Sequence, residues 1–93
     1  MNTYEKQKHH KAKSRAKRKA FLDEIRNVPC TDCGGTFPPV CMDFDHMPGH
    51  IKSFGIMNQY DYSMKRILEE ISKCEIVCAN CHRIRTFTRR AVQ

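Results

Sequence analysis

Two Cys-x-x-Cys pairs, Cys30-Thr31-Asp32-Cys33 and Cys78-Ala79-Asn80-Cys81, stand 44 residues apart in a chain of only 93. Four thiolates in two tight loops match tetrahedral zinc at about 2.3 Å per Zn–S bond. Gly34 and Gly35 directly follow the first pair, and glycine lets the backbone turn its N–H groups toward the sulfurs. The second pair falls at the expected start of a helix, where the helix dipole favours thiolate over thiol. Zinc in a module this small supplies folding free energy on the order of 10 kcal/mol. Two disulfides are the competing pairing. The opening Met1-Asn2-Thr3-Tyr4 runs straight into charged residues with no apolar signal segment. The expectation is therefore an intracellular, reducing compartment, where close cysteine pairs hold metal rather than cross-link. Cys41 and Cys74 are left over and are expected to be small buried apolar residues.

A chain of this length makes one domain, and its charge is divided unevenly. Residues 1–27 carry nine Lys/Arg against three acidic side chains, which accounts for +6 of the net +7. The expected organisation is a basic, helical arm over 1–27 and a near-neutral folded body over 28–93. A body of 66 residues is small for a self-sufficient core, and a metal is one usual remedy. No apolar run approaches the roughly 20 residues of a membrane span. The arm calls for a polyanion: DNA, RNA or an anionic surface. Lys13, Arg15, Lys17 and Arg18 would contact phosphates, giving affinity and salt sensitivity without sequence choice.

Ala12, Ala16 and Ala20 recur at helical spacing, Phe21, Leu22 and Ile25 add an apolar patch, and Pro29 ends the segment. Residues 6–19 lack an apolar face and are expected to fray when free. Val40 to His46 alternates as a strand, with Val40, Met42 and Phe44 set against Cys41, Asp43 and Asp45. Residues 47–61 show little periodicity and carry His50, Lys52, Phe54, Ile56 and Tyr60. Ser63 caps a helix on which Met64, Ile67, Leu68 and Ile71 face the core while Lys65, Arg66, Glu69 and Glu70 face water. Glu75-Ile76-Val77 is a short strand or turn. The last helix runs from Ala79 to about Arg90, with Ile84, Phe87 and Ala91 on one face and His82, Arg85 and Arg89 on another.

A zinc held by four cysteines has no open coordination position, so chemistry would need a second metal. Asp45 and His82 offer a carboxylate oxygen and an imidazole nitrogen. Magnesium, manganese, nickel and zinc all match such a pair. His46 has the side chain for a general base near neutral pH. Neighbours on a regular strand face opposite sides, so Asp45 and His46 share a site only if the strand ends or bends there. Two readings of these residues stand open: a metal-dependent hydrolase, and a non-catalytic zinc module that binds nucleic acid or protein.

Asp45-His46 after a strand, followed by Cys78-Ala79-Asn80-Cys81-His82-Arg83 opening a helix, resembles the HNH endonuclease family, the ββα-metal or His-Me finger group. The resemblance covers roughly residues 30–88. It implies an α+β fold: a small zinc-stapled ββα-metal, treble-clef-like domain, here behind a basic helical arm. It implies His46 as general base, Asp45 and His82 as ligands of a catalytic Mg²⁺ or Mn²⁺ (Ni²⁺ or Zn²⁺ being possible), and a structural zinc on Cys30, Cys33, Cys78 and Cys81. It further implies hydrolysis of DNA, duplex by expectation, to 5′-phosphate and 3′-hydroxyl ends. A single site nicks; the protein would be a monomer or homodimer in the cytoplasm, at the nucleoid through its DNA. Arg83, Arg85, Arg89 and Lys52 are then candidates for substrate phosphates. The family's middle Asn has no counterpart in Ser72-Lys73-Cys74-Glu75, so the resemblance names no residue that braces His46.

Overall fold

The computed structural model describes residues 2–56 and 62–91, forming a small α+β arrangement with a two-stranded antiparallel sheet. Tyr60, expected in the long loop, lies outside the described residues. The first helix, α1 (Thr3–Ile25), opens on a capping box: the Asn2 side chain accepts from Glu5 N–H at 2.8 Å and the Glu5 carboxylate accepts from Asn2 N–H at 3.3 Å. The two bonds satisfy amides that a helix start otherwise leaves bare. The stretch 6–19, expected to fray, continues the same helix, and no described side chain before Leu22 is buried. The last turns of α1 belong to the folded body. Leu22 is fully buried, and the buried Arg26 donates from Nη1 to Met42 O at 3.1 Å while pairing with Asp23.

Pro39–Cys41 form a 3₁₀ turn, and β1 (Met42–His46) starts only after it. Val40, expected inside the strand, stands on that turn and is exposed. Pro38 and Pro39 have no N–H for a ladder, so the chain takes up pairing later. Ser63 accepts from Arg66 N–H and caps α2 (Met64–Ile71). The partner strand β2 (Cys74–Cys78) pairs with β1 in the register Met42 to Cys78 through His46 to Cys74, and α3 (Ala79–Ala91) follows without a break. Among the described residues no helix is long and apolar enough to cross a membrane.

The sheet separates two environments. On one side Phe44, Ile71 and Cys74 pack against a buried cluster of Leu22, Phe54, Ile56 and Ile67. The aperiodic loop thus delivers two core residues that no repeat pattern revealed. Phe54 stacks on Tyr62 with ring centroids 4.2 Å apart, and the Arg66 guanidinium lies 4.2 Å from the Tyr62 centroid. A second cluster joins Cys30, Met42, Val77 and Cys78. On the other side lies α3, and it docks by its polar face. Asp43 and Asp45 contact His82, Arg85 and Arg89, whereas Ile84 and Phe87 point outward and are exposed.

Helix α2 is rotated from its expected orientation. Met64 and Leu68 are exposed, and Glu70, expected to face water, is only 2 % exposed. Ile67, Glu70 and Ile71 form the inward stripe, and three hydrogen-bond donors inside the fold stabilise the carboxylate there. Only six apolar side chains other than cysteine are buried among the described residues. So few buried apolar side chains make a small core, for which a bound metal is a usual supplement. Leu22→Ala should lower the urea midpoint by the equivalent of about 2–5 kcal/mol, because it removes the residue that seats α1. An unchanged midpoint would place α1 outside the cooperative unit.

Candidate functional site

The four cysteines converge. Among the described residues they are the one group of three or more His, Cys, Asp or Glu side chains whose ligand atoms all lie within 4.8 Å of one another. A tetrahedral zinc at about 2.3 Å from each sulfur spaces the sulfurs about 3.8 Å apart, so the set fits a metal such as zinc. Local backbone builds the site. Gly34 adopts φ 73°, its N–H bonds to Cys30 O at 2.9 Å, and Gly35 N–H points at Cys33 Sγ at 3.4 Å. Cys78 N–H donates to Cys30 Sγ at 3.3 Å, and Cys81 N–H to Cys78 Sγ at 3.4 Å. Thr31 ties the first loop to β2 through two bonds to Ile76 O, at 2.8 Å from Oγ1 and 3.0 Å from N. Burial raises the Cys30 thiol, but donated N–H groups from Cys33, Cys78 and Asp32 outweigh it and bring the thiol down to about 6. The hydrogen bond with Cys78, then burial and the neighbouring thiols, push Cys81 up to about 12. Four thiolates this close need a cation between them. Cys74 is half-buried against the core, not fully buried as expected. Burial pushes its thiol up to about 11, and Sγ contacts Glu70 O at 3.4 Å. Cys41 is likewise half-buried.

Asp45 and His46 lie on opposite sides of β1, which runs as a regular strand through both. Asp45 is buried and faces α3. Arg89 donates to Oδ1 at 2.9 Å and to Oδ2 at 2.8 Å, and Arg85 donates to Oδ2 at 2.8 Å. Burial raises the Asp45 carboxyl, yet the two guanidiniums hold it below the usual carboxylate range. Arg85 is a hub. It also forms a two-pronged pair with Asp32, at 2.6 and 2.7 Å, and reaches Glu75 at 3.1 Å. Because Asp32 sits between Cys30 and Cys33, this hub links the first cysteine loop to α3. Arg85 and Arg89, singled out for phosphates, thus have their guanidiniums committed to carboxylates. Arg83 and Arg90 are exposed and line an open cavity of about 450 Å³ with Asn80, His82 and Thr86. Arg90 is not among the sequence candidates, yet Arg83, Thr86 and Arg90 stand at i, i+3 and i+7 on α3, so helical spacing is the signal that places it here.

His82 stands between two aspartates, with Nδ1 2.9 Å from Asp43 Oδ2 and Nε2 3.5 Å from Asp45 Oδ1. An imidazole that donates one N–H to a carboxylate presents its other nitrogen's lone pair, a common arrangement for a metal-ligating histidine. The spacing of His82 Nε2 and Asp45 Oδ1 suits two ligands of one divalent ion, although Arg89 already donates to that oxygen.

His46 turns to the other side of the strand, where its Nε2 lies 2.8 Å from Glu70 Oε2. His46, Asp43, His82, Lys52, Phe44, Gly55 and Ile56 nevertheless line one open cavity of about 250 Å³. The structure therefore brings His46 and His82 to a common space, with Asp43 rather than Asp45 as the aspartate lining it. Lys52 stands at that cavity and His50 is exposed. Lys13, Arg15 and Lys17 are exposed along α1, and Arg18 is half-exposed.

Burial raises the Glu70 carboxyl, but bonds from Lys73, Ser53 N–H and His46 outweigh it and hold it at about 2, against 4.5 ordinarily. A folded-state value this depressed contributes stability above about 4.5 that disappears as pH falls toward about 2. The urea midpoint of Glu70→Gln, taken in saturating zinc, should lie below that of the native chain at neutral pH. The gap should be in place wherever the pH stays above about 4.5 and the zinc thiolates hold. Equal midpoints there would contradict an ionised Glu70. Compared with known protein families, curated proteins and solved structures, the chain matches none.

Proposed function

We propose that the chain is a metal-dependent endonuclease of the HNH type, a ββα-metal domain stapled by a structural zinc on Cys30, Cys33, Cys78 and Cys81, which nicks DNA. The observation that carries the reading is the convergence of His46 and His82, one from β1 and one from the helix that follows the second cysteine pair, on a single open cavity. In this reading His46 takes the proton from the attacking water. Asp43 holds the His82 ring so that Nε2 faces Asp45. Lys52, lining the same cavity, binds a non-bridging oxygen of the scissile phosphate. Asp45 and His82 would hold a divalent ion, Mg²⁺ or Mn²⁺, which when bound would supply positive charge for the phosphoryl oxygens and the leaving 3′ oxygen. Arg83 and Arg90, exposed beside His82 and without a carboxylate partner among the described residues, would take flanking phosphates, whereas Arg85 and Arg89 would first have to leave their carboxylates.

Cleavage of an end-labelled duplex tests the reading. The expected products carry 5′-phosphate and 3′-hydroxyl ends, and none form without added divalent ion. The arm supplies affinity. Replacing Lys13, Arg15, Lys17 and Arg18 with alanine should flatten the plot of log affinity against log salt by about 0.9 for each phosphate no longer neutralised, with weakening that is uniform across sequences. An unchanged slope would remove the arm from the interface.

One observation favours a second reading, a zinc module that binds nucleic acid without cutting it. Both oxygens of Asp45 are already satisfied by Arg85 and Arg89. That reading predicts salt-sensitive binding, no divalent-ion requirement and no cleavage.

A further inference from the structure

Glu70 is a charged residue on the inward stripe of α2, in line with Ile67 and Ile71, and it is 2 % exposed. A buried carboxylate persists only where donors replace the water it gives up. Glu70 has three. Lys73 Nζ lies 2.8 Å from Oε1, Ser53 N donates to Oε2 at 3.0 Å, and His46 Nε2 lies 2.8 Å from the same oxygen. Lys73 also donates to Ile51 O at 2.8 Å and to Ser53 Oγ at 3.2 Å. The carboxylate is thus fixed from two sides, by Lys73 in the turn after α2 and by the loop after β1. Its remaining contact is the imidazole at the end of β1. An ionised carboxylate can only accept, so the shared proton resides on Nε2. The other ring nitrogen, Nδ1, has no protein hydrogen-bond partner among the described residues, and the ring lines the cavity that holds Asp43, Lys52 and His82.

We propose that Glu70 is the positioning residue for His46: it accepts the Nε2 proton, fixes the ring tautomer with the Nδ1 lone pair free, and stabilises the imidazolium that forms when Nδ1 takes a proton from water. The pairing is a property of the fold; its catalytic consequence rests on the nuclease reading. Lys73 serves Glu70 in turn, holding Oε1 so that Oε2 stays with the imidazole. The His46 side chain is mostly buried, so its orientation is set by this pairing rather than by solvent.

The test uses the full zinc-loaded chain and its Glu70→Gln variant. Nitrogen-15 NMR of the histidines reads the tautomer directly, and zinc content and circular dichroism verify the fold. In the native chain the neutral His46 ring should carry its proton on Nε2 alone. In Glu70→Gln an amide faces Nε2, so the ring should populate the second tautomer. Nicking turnover should fall roughly 10- to 100-fold, with DNA affinity and zinc content unchanged. A native His46 protonated at Nδ1 overturns the proposal, as does a folded Glu70→Gln variant that turns over at the native rate. If the variant does not fold, the native tautomer still decides. If the native chain binds DNA without nicking it, the nuclease reading fails, and the same spectrum still reads the Glu70–His46 pairing.

Discussion

Removal of zinc with a tight chelator should unfold the body of this protein. Four cysteine sulfurs within 4.8 Å of one another join the loop at 30–33 to the junction of β2 and α3. The apolar cluster at that junction consists of Cys30, Met42, Val77 and Cys78, so two of its four buried members belong to the cysteine set that could hold the metal. Without a cation the thiols cannot ionise together, and the loop loses its closest attachment to the sheet. The Thr31–Ile76 bonds and the Arg85–Asp32 pair remain. These ties do not replace the folding free energy of a structural zinc, which is on the order of 10 kcal/mol. Chelation should therefore abolish cooperative unfolding in urea, and Cys78→Ser should do the same at ordinary zinc concentrations. Re-addition of zinc should restore the transition. A chelated chain that still unfolds cooperatively at the native midpoint would show that the apolar clusters suffice alone.

The second large effect concerns His46. Its replacement by alanine should lower the rate of strand cleavage by about 10²- to 10⁴-fold, the usual contribution of a positioned general base. Zinc content and DNA affinity should stay near native, because the ring takes part in neither. The variant also leaves Glu70 without one partner, but Lys73 and Ser53 N–H still hold that carboxylate, so the fold should survive. His82→Ala is the informative companion. It should impair cleavage through weaker binding of the divalent ion and be partly relieved by more Mn²⁺, whereas His46→Ala should not respond to the metal. Equal cleavage by His46→Ala and the native chain would remove His46 from the mechanism.

The cysteine framework was legible in the sequence because the Cys-x-x-Cys spacing is itself a geometric constraint, and Gly34 at φ 73° provides the turn that spacing requires. Ser63 as a cap, α3 beginning at Ala79 and the strand ending at His46 were legible from local chemistry in the same way, whereas Glu75-Ile76-Val77 read equally as a strand or a turn until its pairing with β1 decided it. What escaped was carried by contacts distant in the chain. Phe54 and Ile56 enter the core from a loop with no period to detect. Arg85 looks like a surface cation until Asp32 and Asp45, 53 and 40 residues away, are brought to it. The inward face of α3 is polar because the sheet presents Asp43 and Asp45 to it, which inverts the usual sense of an amphipathic helix. Glu70 was assigned to water by its charge alone. Its spacing from Ile67 and Ile71 placed it on the same stripe, and that spacing was the available signal. The pairing of His46 with Glu70, 24 residues apart, had no local trace.

Whether the chain breaks phosphodiester bonds separates the two functional readings. The decisive measurement is the full zinc-loaded protein with supercoiled plasmid and Mg²⁺ or Mn²⁺, resolved on a gel. One site per chain predicts conversion of supercoiled DNA to open circle, with no linear product at first and no conversion in the absence of divalent ion. Plasmid that is bound in a salt-sensitive way yet remains supercoiled would contradict the nuclease and leave a zinc-stabilised nucleic-acid-binding module.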